Sequence, residues 1–190
     1  MKTYSHWTIK ILFLVITYTS LLSPAQANPL ENYINTEDNS FKWEQISQQQ
    51  ESWGTINRLK LISQNWRGLT WQHHLILVTP KNMRHPETAF LMISGDGNGD
   101  KKLAMLKTLA KQASAPVAVL MNVPNQPLYG ERREDALIAY TFNQYMESGD
   151  ESWPLLFPMV KSANKAMDAL QAYMQQQNGQ QISQFVVSGA

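Results

Sequence analysis

Two short runs of uninterrupted apolar residues, Ala89-Phe90-Leu91-Met92-Ile93 and Pro116-Val117-Ala118-Val119-Leu120-Met121, constrain this chain most. A strand with one wet face alternates apolar and polar residues. A strand apolar throughout is covered on both faces, as happens in a parallel sheet packed between helices. The glycine-rich loop Ser94-Gly95-Asp96-Gly97-Asn98-Gly99-Asp100 follows the first run. Beyond it, Leu103, Leu106, Leu109 and Ala113 recur at spacings of three and four, which predicts a helix over about Lys101 to Ser114 with Asp100 as its cap. Strand, loop, helix and strand in that order make a βαβ unit with parallel pairing.

The flanking segments read differently. Thr55 to Asn65 and Trp71 to Thr79 are β-prone, and a short glycine-containing link joins them, which predicts an antiparallel hairpin. Trp71, His73, Leu75 and Leu77 fall on one face of the second run, and Gln72, His74, Ile76 and Val78 on the other. Residues 28–54 are polar with scattered aromatics and read as a weakly ordered lead-in, with a short helix near Ser40 to Ile46. Glu131 to Met146 reads as a helix. A longer one, about Leu155 to Gln177, carries a stripe of Leu156, Met159, Val160, Ala163, Met167, Leu170 and Met174. Asn178-Gly179 ends it, and Ile182 to Val187 is the last strand. The fold class is therefore α/β: an antiparallel hairpin leading into a mostly parallel sheet flanked by helices, over residues 55–190.

Met1 to Ala27 has the build of a signal peptide. Lys2 and Lys10 precede an apolar run that reaches Leu22, and Ala25-Gln26-Ala27 is a small-x-small cleavage site. The run is short for a membrane span, so the expectation is cleavage to a periplasmic or secreted protein, with an uncleaved membrane anchor as the alternative. The 16 basic and 15 acidic residues form no basic patch interleaved with aromatics, which speaks against nucleic acid. With no cysteine, disulfides, thiolate catalysis and cysteine-held metal are excluded together.

Three places carry candidate chemistry. Phe185-Val186-Val187-Ser188-Gly189-Ala190 is a strand running into small residues, the first half of the elbow that exposes a nucleophile at the end of a central strand. The nucleophile would be the next residue, so the chain reads as an N-terminal piece ending at the elbow, with Ser188, Gly189 and Ala190 as its flank. The glycine loop offers Gly95 and Asp96 as backbone donors for an oxyanion, or is a plain turn that needs left-handed backbone. As a calcium loop it lacks the glycine after Asp100 and the glutamate at the twelfth position; as a phosphate loop it lacks Gly-Lys-Ser/Thr. No cofactor motif or metal cluster is read. In Glu131-Arg132-Arg133-Glu134-Asp135, Arg132 or Arg133 could hold an anionic substrate group, or the cluster could simply solvate a helix end.

Asn125-Gln126-Pro127-Leu128, Arg133-Glu134-Asp135-Ala136-Leu137-Ile138-Ala139-Tyr140-Thr141, Pro158-Met159-Val160-Lys161 with Met167-Asp168, and Phe185 to Ala190 stand in an order that resembles the PhoPQ-activated pathogenicity-related protein family. The resemblance implies an exported α/β-hydrolase-like protein whose last motif continues Gly-Ala-Ser, placing Gly189 and Ala190 before the nucleophile. The elbow is similar to that of glucuronoyl and related carbohydrate esterases. The resemblance puts the triad acid and histidine after Ala190, and it puts Asp96 where relatives often carry a second glycine. The expectation is a serine hydrolase acting on a small-molecule, peptide or carbohydrate ester, with these residues inactive alone. The competing class is a non-catalytic secreted interaction module on the same fold.

Overall fold

The structure is a computed structural model that describes residues 28–189. The signal-peptide reading of Met1 to Ala27, and Ala190 of the elbow, lie outside the described residues. Helix α1 is Pro29–Asn35, followed by strands β1 (Lys42–Glu51), β2 (Gly54–Trp66), β3 (Leu69–Pro80) and β4 (Thr88–Ile93). A 3-10 turn, Asp100–Lys102, leads into α2 (Leu103–Ala113) and β5 (Val117–Leu120). Helices α3 (Glu134–Ser148) and α4 (Leu156–Asn178) precede β6 (Gln184–Gly189). Among the described residues no helix is long and apolar enough to cross a membrane.

The strands form one sheet in the order β1-β2-β3-β5-β4-β6. β1, β2 and β3 pair antiparallel, and β3 meets β5 antiparallel. β4 runs parallel to both β5 and β6. The expected hairpin is thus two strands of a three-stranded meander, and the parallel part is the predicted βαβ unit with β6 added beside β4. The lead-in differs most from expectation. The helix lies at Pro29–Asn35, capped by the Asn28 side chain, and Ser40 to Ile46 is extended. β1 is an edge strand held by main-chain pairing. Its side chains are exposed nearly throughout, so it shows no alternation, and Ile46 falls at a bulge and points outward.

The sheet buries both faces. Leu59, Leu61, Leu75, Leu77, Ala89, Leu91, Ala118 and Leu120 pack under α4; Ile56, Ile76, Val78, Val117 and Val119 pack under α2. The two faces expected for β3 are therefore the two faces found. α4 keeps most of its apolar stripe inward: Ala163, Leu170 and Met174 are buried, and Met159 and Met167 pack against the core. Leu156 and Val160 are exposed, while Lys161, Ser162, Ala163, Ala166, Ala169, Leu170, Tyr173 and Met174 are buried. The small residues select this face, because they let the helix approach a sheet already filled with leucines. Asp100 is also not a helix cap: its carboxylate pairs with Arg58 at 2.5 Å, and Gly99 precedes the turn in left-handed conformation. A Cβ on Gly99 would stand 2.7 Å from Ile76 Cδ1, so both the backbone and the space demand glycine.

A buried polar chain crosses from helix to sheet. β2 has a bulge between Ile62 and Gln64, which turns the consecutive residues Ser63 and Gln64 both inward. Tyr33 donates to Gln64 Oε1 at 2.7 Å, and Gln64 Nε2 donates to the Pro158 carbonyl at 2.7 Å and to Ser162 Oγ at 3.1 Å. Ser63 Oγ lies 3.0 Å from Ser162 Oγ and 2.9 Å from His73 Nε2. The other ring nitrogen, Nδ1, is 3.1 Å from the Met121 carbonyl, which can only accept. Nδ1 therefore carries the proton, and Ser63 donates to Nε2. Lys161 closes the cluster by donating to the Thr36 carbonyl at 2.8 Å, beyond the end of α1.

Burial pulls the His73 pKa down from its ordinary value to about 4, against the hydrogen bonds to Met121 and Asn122. The unfolded chain then binds a proton that the folded one refuses between about pH 6.5 and 4. Stability from this group is full above that window and is lost as pH falls through it, by up to about 3 kcal/mol. Urea midpoints measured from pH 7 to 4 should fall accordingly, and His73→Gln should flatten that part of the profile. A second expectation concerns the phase of α4. Ala169→Leu should cost about 1–3 kcal/mol by overpacking, whereas Leu156→Ser should stay within about 0.5 kcal/mol of the parent in the same denaturation experiment.

Candidate functional site

The carboxyl ends of β4, β5 and β6 lie side by side, and the candidate residues gather there. In the β4–β6 register Met92 stands opposite Ser188 and Ile93 opposite Gly189. The glycine loop thus begins one residue past the level at which β6 reaches Gly189. Ser94 donates its N–H to the Leu120 carbonyl at 2.9 Å, which carries the β4–β5 ladder one step further. Among the described residues, neither the Gly95 nor the Asp96 N–H has an acceptor. The loop lines an open cleft of about 450 Å³ together with Lys101, Lys102 and Met121.

Asn122 holds that loop in place, and no motif marked it in the sequence. It sits at a φ of 63°, a left-handed conformation that asparagine adopts more readily than most residues. Its N–H donates to the Gly95 carbonyl at 2.8 Å, and its side-chain oxygen accepts from the Gly97 N–H at 3.0 Å. Val123 adds a bond from its N–H to the Ser94 carbonyl at 3.1 Å. The signal available in the sequence was an asparagine ending a buried apolar run.

The two arginines separate. Arg133 pairs with the Asp96 carboxylate at 2.5 Å, bridging the loop after β5 to the loop after β4. Both side chains are about half exposed, so the pair orients the carboxylate more than it stabilises the fold. Arg132 turns the other way: it donates to the Tyr129 carbonyl and stacks 4.4 Å over the Tyr140 ring. Glu134 is tied to Gln126 by reciprocal bonds, with its N–H donating to Oε1 at 2.8 Å and its Oε1 accepting from Nε2 at 2.6 Å. Glu131 to Arg133 are accordingly a turn, and helix α3 starts at Glu134.

Four non-glycine residues in this stretch, Asn122, Tyr129, Glu131 and Glu134, have φ between 46° and 63°. Left-handed backbone at such density is held by its surroundings, here the ties to Gly95, Gly97, Gln126 and Arg132. His73 and His74 face opposite sides of β3. His73 is fully engaged in the core and does not reach the cleft as a free base.

Solved structures with this architecture exist. A glucuronoyl esterase from Solibacter usitatus aligns with 85% of this chain and 50% of its own, at a TM-score of 0.51 and 11% identity. A Bacteroides fragilis protein assigned as an acetyl xylan esterase aligns over 99% of this chain and 55% of its own, at a TM-score of 0.51 and 14% identity. These likenesses show an α/β-hydrolase-like fold. Autocrine proliferation repressor protein A of Dictyostelium discoideum is 30% identical over 193 residues, 93% of this chain. The chain spans 39% of that relative's length and about half that of the solved neighbours. A family model matches residues 30–190, nearly everything that follows the leader-like segment, and the chain thus belongs to the PhoPQ-activated pathogenicity-related protein family.

Proposed function

We propose that this chain carries the elbow strand and the oxyanion wall of an exported serine esterase, whose nucleophile is the residue following Ala190. The observation that carries the reading is the β4–β6 register, with Gly189 opposite Ile93 and, just beyond, the Gly95 and Asp96 N–H groups without acceptors among the described residues. In this arrangement the serine Oγ attacks the ester carbonyl carbon. The C=O electron pair moves onto oxygen, and the backbone N–H groups stabilise that charge as it develops. The carbonyl re-forms as the ester C–O bond breaks, and water then frees the acyl group from serine; the proton transfers of both steps run through a histidine oriented by a carboxylate. Both come from chain beyond Ala190, following the order of parts in this fold. Pairing of Asp96 with Arg133 supports the role of the loop, because a free carboxylate beside the hole would oppose the developing charge. Neighbours named as acetyl xylan and glucuronoyl esterases support a carbohydrate ester as substrate. The apolar leader-like segment supports a periplasmic or secreted location.

The test compares the 190-residue chain with a product that extends past Ala190, using short-chain aryl esters. The extended product should turn over, and alanine in place of the residue after Ala190 should remove activity by at least about a thousandfold. The 190-residue chain should match a heat-killed sample. Equal activity in both proteins, or indifference to that substitution, would sink the reading. Within the extended product, Arg133→Ala should lower kcat about tenfold by unmasking Asp96, and adding Asp96→Gly should recover most of the loss.

A further inference from the structure

A second groove lies at the same end of the sheet, away from β6. It has a volume of about 610 Å³ and is lined by Tyr33, Asn65, Trp66, Tyr129, Ser152 and Trp153, with Arg67. β3 runs antiparallel to β5, so the β2–β3 turn that carries Arg67 lies at the carboxyl end of the parallel strands. The segment that leads from β5 to Arg133 and the glycine loop also supplies Tyr129 to this groove. Across the sheet β3 and β6 are three strand spacings apart, roughly 14 Å, and Arg67 lies eight residues from Leu75, the partner of Leu120 at the end of β5. The segment after β5 therefore touches both clefts, through Met121 at one and Tyr129 at the other.

The walls are aromatic and the charges are already satisfied. Tyr129 meets Trp66 edge-on at 5.9 Å and Trp153 at 5.5 Å. The Arg67 guanidinium stacks 3.6 Å over Trp153 and binds Asp150 at 2.9 Å. Hydrogen bonds from Ser152, and then from Arg67, hold the Asp150 carboxyl down to about 2, so the pair stays ionised and closed on itself. Trp153 and Tyr129 remain half-buried, with the Tyr129 hydroxyl itself buried beside Arg67. A charged ligand would find no free counter-charge in this groove. A purely apolar one would leave the exposed Asn65 amide unanswered, since Ser152 Oγ already accepts from Arg67 and donates to Asp150. A pyranose ring meets both demands, with C–H groups against the rings and hydroxyls toward the Asn65 amide.

We infer that this groove is a subsite for a neutral sugar residue of an oligosaccharide that also reaches the glycine loop. Its part in catalysis rests on the esterase reading, but the binding itself does not. The test is therefore a titration without turnover. Xylotetraose and cellotetraose, and tetragalacturonate for comparison, are added to the isotopically labelled protein while amide shifts and tryptophan fluorescence are followed. At least one neutral tetrasaccharide should bind saturably and shift the amides of Asn65, Tyr129, Ser152 and Trp153. Trp153→Ala should weaken binding at least tenfold, and Trp153→Phe, which keeps a ring, should fall between the two. No saturable response to either neutral sugar would overturn the assignment. So would shifts confined elsewhere, undiminished binding by a folded Trp153→Ala protein, or tenfold preference for tetragalacturonate. Mapping on the unsubstituted protein decides the matter even if Trp153→Ala does not fold.

Discussion

The parallel pairing of β6 with β4 is the constraint on which the rest depends. A one-residue slip would move Gly189 off the level of Ile93 and reverse which side chains of β6 face each side of the sheet. The long α3–α4 connection exists to bring β6 past β5 to the far side of β4. α4 is held against the sheet by small residues and by the polar chain from Tyr33 to His73. That chain ends on the Met121 carbonyl, one residue before Asn122, which positions Gly95 and Gly97. One imidazole thus connects the α4 face to the segment that positions the glycine loop.

His73 and Ser63 show why geometry has to be weighed with access. A serine oxygen 2.9 Å from an imidazole nitrogen has the spacing of a nucleophile and its base. Both residues are buried, and the ring's second nitrogen is fixed on a backbone carbonyl. Burial pulls the pKa down to about 4, so the ring remains neutral at ordinary pH but receives no substrate. The pair locks the β2 bulge to β3 and α4, and its consequence is acid sensitivity of the fold.

Much of the parallel core was legible because strands buried on both faces leave uninterrupted apolar runs, as in Ala89 to Ile93 and Val117 to Leu120. β1 was not legible, because an edge strand with glutamines on both faces is specified by its partner's main chain and not by its own pattern. The face of α4 was legible in part: Ala163, Leu170 and Met174 of its stripe are buried and Met159 and Met167 pack on the core, but Leu156 and Val160 are exposed. An apolar stripe measures hydrophobicity, whereas the helix docked on its alanines and satisfied Lys161 and Ser162 with hydrogen bonds. At the candidate site, the glycine loop and the small residues that end β6 stood out in the sequence. The Asp96–Arg133 bridge was not, since 37 residues separate its partners and each arginine was an equal candidate from sequence. The aromatic groove draws on four separate segments, which no local pattern connects.

The central claim is that Gly95 and Asp96 present their N–H groups to charge generated at the end of β6. The most direct measurement is the amide nitrogen and proton shifts of these two residues in the product that extends past Ala190, before and after covalent phosphonylation of its serine. The account predicts large downfield proton shifts at Gly95 and Asp96, as each donates to the phosphonyl oxygen, with Asn57 and other distant amides unmoved. Phosphonylation that leaves both amides in place would contradict it.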